Sequence, residues 1–296
     1  MNKINRVLIA GGTHGNELTG IYLVKKFEQN PELAKRASFE TVLLLGNPRA
    51  MTAGLRYIDQ DLNRCFNLED RQTEDVDSAV YEVQRAIEIR EQFGLAGRTP
   101  VDFAIDIHST SANAGMMLIL DNLSQFVLRL AAHLSTIEPT LKVYSSAQSG
   151  REQDALRSLA KYRLCIEVGP ICHGTLHAEL FTKTEALIQA ILSYLDQSNQ
   201  ADIQLGQQQL TVYQYCRAID YPRNSQGEII AAIHPQLHNR DYAALNPGDP
   251  IFLTFDQRTI VYQGDSTVYP VFVNEAAYYE KGIAMCLTTK RQIQLD

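Results

Sequence analysis

From Arg6 to about Asp196 the chain alternates between two periodicities, and this alternation limits the folds open to it more than any other feature. Short apolar runs rich in β-branched residues read as strands: Arg6–Ala10, Thr41–Leu45, Phe103–Ile107, Met116–Leu120 and Leu164–Val168. Between them, segments with apolar residues three or four apart read as helices: Leu18–Glu28, Asp77–Gln92, Gln125–Leu134 and Ala178–Leu195. In the second helix Val80, Val83 and Ile87 mark the stripe expected to be buried. Strands alternating with helices predict an α/β layer fold around a mostly parallel sheet. After Asp196 the pattern breaks. Polar stretches at Ser198–Asp202 and Gln207–Gln209 predict a connector. Beyond it, strand-like pieces are punctuated by turns at Tyr221–Pro222, Asn246–Gly248 and Gln263–Asp265. Two domains are therefore expected, 1–200 and a smaller β-rich unit, 201–296.

A chain of 296 residues can bury a core in each. The formal charge of −7 argues against a nucleic-acid partner, which requires a concentrated basic surface. The N-terminus MNKINRVLIAGG lacks the apolar length and small-residue cleavage site of a signal peptide. No run approaches the roughly 20 apolar residues of a membrane span. Cys65, Cys165, Cys172, Cys216 and Cys286 have neither zinc-finger spacing nor the density of a disulfide scaffold, and read as small packing residues in a reducing cytosol. The expected partner is a small molecule, not a nucleic acid or a membrane, and a homo-oligomer is compatible with the sequence.

Four segments carry chemistry. Gly11-Gly12-Thr13-His14-Gly15-Asn16-Glu17 follows the first strand but lacks the glycine order and the Lys-Ser/Thr of phosphate-binding loops. His14 and Glu17, three apart, can reach one point. One more histidine would make the His₂Glu set that leaves a zinc position open. His108, in Asp106-Ile107-His108 at a strand end, is the candidate. Asp106 lies two residues away on the same strand face, suited to fix the imidazole's tautomer or to be a ligand itself. Glu167, in Leu164–Pro170, is a carboxylate in an apolar strand, costly to bury without a partner or a task. Its expected task is to take a proton from the attacking water and return it to the leaving amine. Asn63 and Arg64, in Arg56–Arg64, can present amide and guanidinium donors to one carboxylate. Arg157 is a further candidate that its own surroundings do not single out. A rival pair, His173 and His177, has the i, i+4 spacing but encloses Gly174 and lacks the accompanying glutamate. His133, His234 and His238 read as packed or surface residues.

Together, GGTHGNE (11–17), RYIDQDLNR (56–64), DIHST (106–110), IEVGP (166–170) and TVYPVFVNEAAYYEKG (267–282) resemble the aspartoacylase family, in order and over nearly the whole chain. The resemblance implies a zinc-carboxypeptidase-like mixed sheet flanked by helices, with a C-terminal β domain covering the active site. It implies one Zn²⁺ per chain on His14, Glu17 and His108, with Glu167 as general acid/base and Arg56 polarising the scissile carbonyl. Asn63, Arg64 and Tyr278 would bind one substrate carboxylate and Arg157 the acidic side chain, making N-acetyl-L-aspartate the expected substrate. One departure is Gln153, where the family places a tyrosine four positions before that arginine. The aminoacylase-3 type shares the zinc and catalytic motifs, lacks the arginine and prefers aromatic or mercapturate N-acyl amino acids, which makes it the alternative.

Overall fold

The structure, a computed structural model, describes residues 3–67, 80–147, 149–150, 153–200 and 208–295. Before residue 200 the elements are β1 (Arg6–Gly11), α1 (Leu18–Gln29), β2 (Glu40–Leu45), α2 (Pro48–Ala53), α3 (Tyr81–Phe93), β3 (Phe103–Ser109), β4 (Gly115–Leu120), α4 (Gln125–Ile137), β5 (Lys142–Ser145), β6 (Tyr162–Gly169) and α5 (Ala178–Gln200). There follow β7 (Gln208–Ile219), β8 (Ala231–Ile233), β9 (Pro250–Thr254), β10 (Thr259–Val261), β11 (Tyr269–Val271) and β12 (Met285–Leu295). Nine strands form one sheet in the order β11-β12-β7-β5-β4-β6-β3-β1-β2, and β10-β9-β8 form a separate one.

The two-residue period of the strands sorts side chains between two helical layers. Phe103, Ile105 and Ile107 of β3 face Leu23, Val24 and Phe27 of α1, Val127 and Leu130 of α4 and Ile188 and Ile191 of α5 in one apolar cluster. Fully burying each of these large side chains contributes about 1.5–3 kcal/mol. Ala104 turns the other way and joins Leu8, Ala10, Leu62, Leu156 and the Val83, Ala86 and Ile89 face of α3. Asp106 and His108 continue the Ala104 face, and both are buried. The side of the sheet that carries α3 therefore carries the polar residues.

The sheet is mixed: β4 runs antiparallel to β6, as do β7 and β11 to β12, while β2, β1, β3 and β6 are parallel neighbours. The C-terminal strands continue it, because β7 pairs parallel with β5 through Tyr144–Tyr213 and Ser145–Gln214. The small sheet has its own core of Tyr221, Ile233, Phe252 and Tyr262. Val80 is an exposed residue preceding α3, not part of its buried stripe, which runs Val83, Ala86, Ile89. The portion 77–79 of that expected helix lies outside the described residues. Ser198–Gln200, read as connector, extend α5, and Gln208–Gln209 begin β7; the rest of the connector lies outside the described residues, at the expected boundary between 200 and 201. Among the described residues no helix is long and apolar enough to cross a membrane.

Candidate active site

Three chain segments converge at the carboxyl ends of β1, β3 and β6. Past β1 the backbone turns at Gly12, whose φ of +69° falls in the left-handed region that glycine adopts without strain. Gly15 then passes so close to α2 that a β-carbon there would lie 2.2 Å from the Ala50 carbonyl carbon. The tight passage puts His14 and Glu17 beside the ends of β3 and β6. In the parallel register of those strands His108 is the direct neighbour of Glu167. The third segment, 56–64, is shaped from α3. Buried Glu82 accepts the backbone N–H groups of Ile58 at 2.7 Å, Asp59 at 3.0 Å and Gln60 at 3.3 Å, and the Asn47 amide at 3.0 Å. The Gly15 N–H donates to the Arg56 carbonyl at 3.1 Å, which ties this loop to the first segment.

His14, Glu17 and His108 are the one group of candidate metal ligands among the described residues, their ligand atoms all within 4.8 Å of one another. His14 Nδ1 lies 2.7 Å from Glu17 Oε1, and His108 Nδ1 lies 2.9 Å from Glu17 Oε2. The two Nδ1 atoms are 3.1 Å apart. The opposite ring nitrogens face carboxylates, His14 Nε2 on Asp61 at 2.9 Å and His108 Nε2 on Asp106 at 2.8 Å. Asp106 also accepts from the Thr13 hydroxyl at 2.8 Å. Asp106 thus sits behind His108, on the far side from the cluster. When each Nε2–H donates to its carboxylate, both Nδ1 lone pairs face the Glu17 oxygens with no proton between ring and carboxylate, an arrangement that calls for a cation in addition to the Arg56 and Ser109 N–H groups that Glu17 accepts. Burial lowers the basicity of His108, but Asp106 and Glu17 outweigh it and raise its pKa well above the usual value, another expression of the same demand for positive charge. Two imidazoles and one carboxylate fit zinc with a position left open.

The cluster opens into a cavity of about 200 Å³ whose lining includes Arg56, Asn63, Arg64, Arg157, Glu167 and Tyr278. Every residue given a ligand, catalytic or substrate role by resemblance lines this cavity; Asp106, placed behind His108 by its strand position, does not. Arg56 donates through Nη1 to Glu17 at 2.8 Å. Asn63 accepts the Leu156 N–H at 2.9 Å, and Arg64 donates to the Asn63 carbonyl at 2.7 Å. Burial pushes the Glu167 carboxyl up to about 8; His108 and Arg56 oppose this, and Glu17 and Glu275 add to it. A cation held at the cluster would lower it again, favouring the ionised carboxylate that can accept a proton. Burial also pushes the Tyr278 phenol well above its usual range, so it remains an O–H donor.

Several residues of the site had no role in the sequence reading. Asp61, within the 56–64 string, pairs with His14 and with Lys281, which comes from the C-terminal segment. Burial would raise the Asp61 pKa, but His14, Arg56 and Lys281 hold it far below the carboxylate range. Glu275 accepts from Thr110, from Ser111 at 3.0 Å and from the Ala112 N–H at 3.0 Å, fastening that segment to the loop after β3. Asp121 bridges Arg157 and Arg163. The argument that singled out Glu167, a carboxylate against an apolar strand, would have found Asp121, which directly follows β4.

His173 stands 3.3 Å from Glu275, while His177 is exposed and accepts the Leu180 N–H at 3.4 Å at the start of α5, so the rival pair does not converge. Cys172 and Cys216 are exposed, which corrects the packing reading for those two; Cys65, Cys165 and Cys286 are buried, and Cys165 and Cys286 line the cavity. None of the five is disulfide-bonded.

Residues 3–195 match the profile of the succinylglutamate desuccinylase/aspartoacylase catalytic domain, and residues 208–290 that of the AstE/AspA barrel-sandwich hybrid domain. A probable aspartoacylase of Nostoc sp. is 53% identical over 294 residues, covering 99% of both chains. The aspartoacylase of Rattus norvegicus is 40% identical over 291 residues, covering 97% of this chain and 93% of its own. The crystal structure of murine aminoacylase 3 superposes with a TM-score of 0.95 at 36% identity, covering 100% of this chain and 98% of that one.

Proposed function

Because this chain belongs to the succinylglutamate desuccinylase/aspartoacylase family, we propose that it is a zinc-dependent amidohydrolase that deacylates N-acyl-L-aspartate, converting N-acetyl-L-aspartate and water to acetate and L-aspartate. The observation that carries this reading is the convergence on one cavity of a His-Glu-His cluster that calls for a cation and a buried arginine, Arg157, suited to an anionic side chain. His14, Glu17 and His108 would hold the zinc, with Asp61 and Asp106 fixing the two imidazole tautomers. Zinc bound there supplies Lewis acidity and makes water a competent nucleophile at neutral pH.

The chain's own groups do the rest. Glu167 takes the proton of the attacking water and delivers it to the departing amide nitrogen, so that the amine leaves neutral. The Arg56 guanidinium, kept charged by Glu17 and Asp61 despite burial, sets positive charge where the carbonyl oxygen becomes an oxyanion. Asn63, Arg64 and Tyr278 receive the substrate's α-carboxylate, and Arg157 its side-chain carboxylate. Residues 201–296 serve as a covering domain, whose contributions to the cavity include Glu275, Tyr278 and Lys281.

The second reading is an aminoacylase-3-like deacylase of aromatic or mercapturate N-acyl amino acids, favoured by the 0.95 TM-score to murine aminoacylase 3 and by Gln153. The two are separated by turnover of N-acetyl-L-aspartate and N-acetyl-L-tyrosine on purified protein whose metal content has been measured. The proposal expects about one zinc per chain, following the open three-ligand pattern, and a larger kcat/KM for the aspartate substrate. A larger value for the tyrosine substrate hands the site to the second reading.

A further inference from the structure

Arg157 is buried in a turn of 3₁₀ helix, Leu156–Leu159, and among the described residues the one hydrogen bond of its side chain runs from Nε to Asp121 Oδ2 at 3.0 Å. The other oxygen of Asp121 accepts Arg163 Nε at 2.7 Å, and the Asp121 side chain is wholly buried. Arg163 is locked in turn, its Nη1 reaching the carbonyls of Ser158 at 3.5 Å and Ala160 at 3.3 Å, at either end of the segment that follows Arg157. The strand register explains the meeting. β4 and β6 are antiparallel with Ile119 opposite Cys165, and two steps further that register sets Asp121 opposite Arg163.

We propose that Asp121, clamped by Arg163, is a positioning residue that sets substrate selectivity through Arg157. A guanidinium receives a carboxylate either side-on, through Nε and one Nη, or end-on, through both Nη groups. Asp121 occupies Nε and so leaves the end-on face, which makes no hydrogen bond with the described residues, to the cavity that Arg157 lines. One carboxylate shared between two guanidinium cations neutralises neither in full, so Arg157 keeps positive charge toward the cavity. A ligand carboxylate answers that charge, whereas a neutral side chain leaves it bare. The group recognised is a single carboxylate on the substrate's side chain. Asp121 touches no substrate atom, and its influence passes entirely through the orientation of Arg157.

This inference rests on the N-acyl-aspartate reading, and the experiment keeps the two apart. Steady-state kinetics are measured with N-acetyl-L-aspartate and N-acetyl-L-alanine for the wild type, Asp121→Asn, Asp121→Glu, Arg157→Ala and Asp121→Asn/Arg157→Ala. Asp121→Glu retains the charge, which keeps the test alive if the amide does not fold. The wild type should favour the aspartate substrate. Both Asp121 variants should raise its KM by about tenfold or more, with kcat within about threefold and the alanine substrate little affected, the pattern of a lost binding contact. In the Arg157→Ala background Asp121→Asn should change selectivity no further, because the residue it acts through is gone. A wild type without the preference defeats the substrate reading and this inference with it. A wild type with the preference, retained in Asp121→Glu or lost additively in the double variant, overturns the role of Asp121 alone. Parallel losses on both substrates overturn it too.

Discussion

Two imidazole nitrogens 3.1 Å apart, each against the same carboxylate, repel unless a cation lies between them. His108→Ala removes one donor and leaves Asp106 without its ring N–H. Elemental analysis should find zinc lost from this variant, together with activity. Full zinc occupancy would take His108 out of the ligand set. Glu167→Gln keeps shape but has no basic oxygen for a proton; it should retain metal and fold while kcat falls by about 10²–10⁴. Normal kcat in a destabilised variant would make Glu167 structural. Away from the chemistry, Asp241 takes the Val273 N–H on one oxygen at 3.2 Å and leaves Oδ2 buried without a hydrogen-bond partner. Burial lifts its pKa from 3.8 to about 7. With the folded value raised, the stability contribution is whole below the unfolded value near 3.8 and is lost as pH rises through about 7. Asp241→Asn escapes that loss, so its Tm advantage over the wild type should be larger at pH 8 than at pH 5. An equal difference at both values would mean that the carboxyl is not held protonated.

At the scale of elements, the loop 56–61 takes its form from α3 rather than from its own sequence. Glu82→Ala would strand the N–H groups of Ile58, Asp59 and Gln60. These donors are only part-buried, so each lost bond costs at most the roughly 1–3 kcal/mol of a buried unsatisfied group. The variant should lose several degrees of Tm and much of its kcat/KM, since Arg56 and Asp61 lie on that loop; thermal denaturation showing a wild-type Tm would deny the loop its anchor. The strands were legible in the sequence because each is a short apolar run closed by polar residues or glycine, as Phe103–Ile107 and Leu164–Val168 illustrate. Helix ends were less so: α5 continues through Ser198–Gln200, whose composition reads as connector although the preceding turns carry them. β5, with only Lys142–Ser145, is too short to leave a period, and its place between β4 and β7 depends on pairing partners far along the chain. His14, Glu17 and His108 stood out by a spacing and chemistry that make a His₂Glu metal set, and Glu167 because a carboxylate in an apolar strand is costly. Asp61 and Lys281 did not, since each looks like an ordinary surface charge until residues 220 positions apart are brought together.

For the molecule as a whole, the site is a product of the mixed sheet and the return of the C-terminal segment to it. The parallel strands β1, β3 and β6 deliver the cluster and Glu167; the antiparallel β4 delivers Asp121 just past its end; the segment after β11 delivers Glu275, Tyr278 and Lys281. The cavity thereby encloses a cation-seeking cluster and the buried charge of Arg157, and the substrate we propose, an N-acyl amino acid with an acidic side chain, would answer both. Truncating Arg157 tests that account most directly. Arg157→Ala should lose about 2–5 kcal/mol of transition-state binding, a factor of roughly 30 to several thousand in kcat/KM, on N-acetyl-L-aspartate. On an N-acetyl amino acid with a neutral side chain its kcat/KM should be little changed or improved. Equal losses on the two substrates would contradict the account and make Arg157 a support of the fold rather than the receptor for the substrate's second charge.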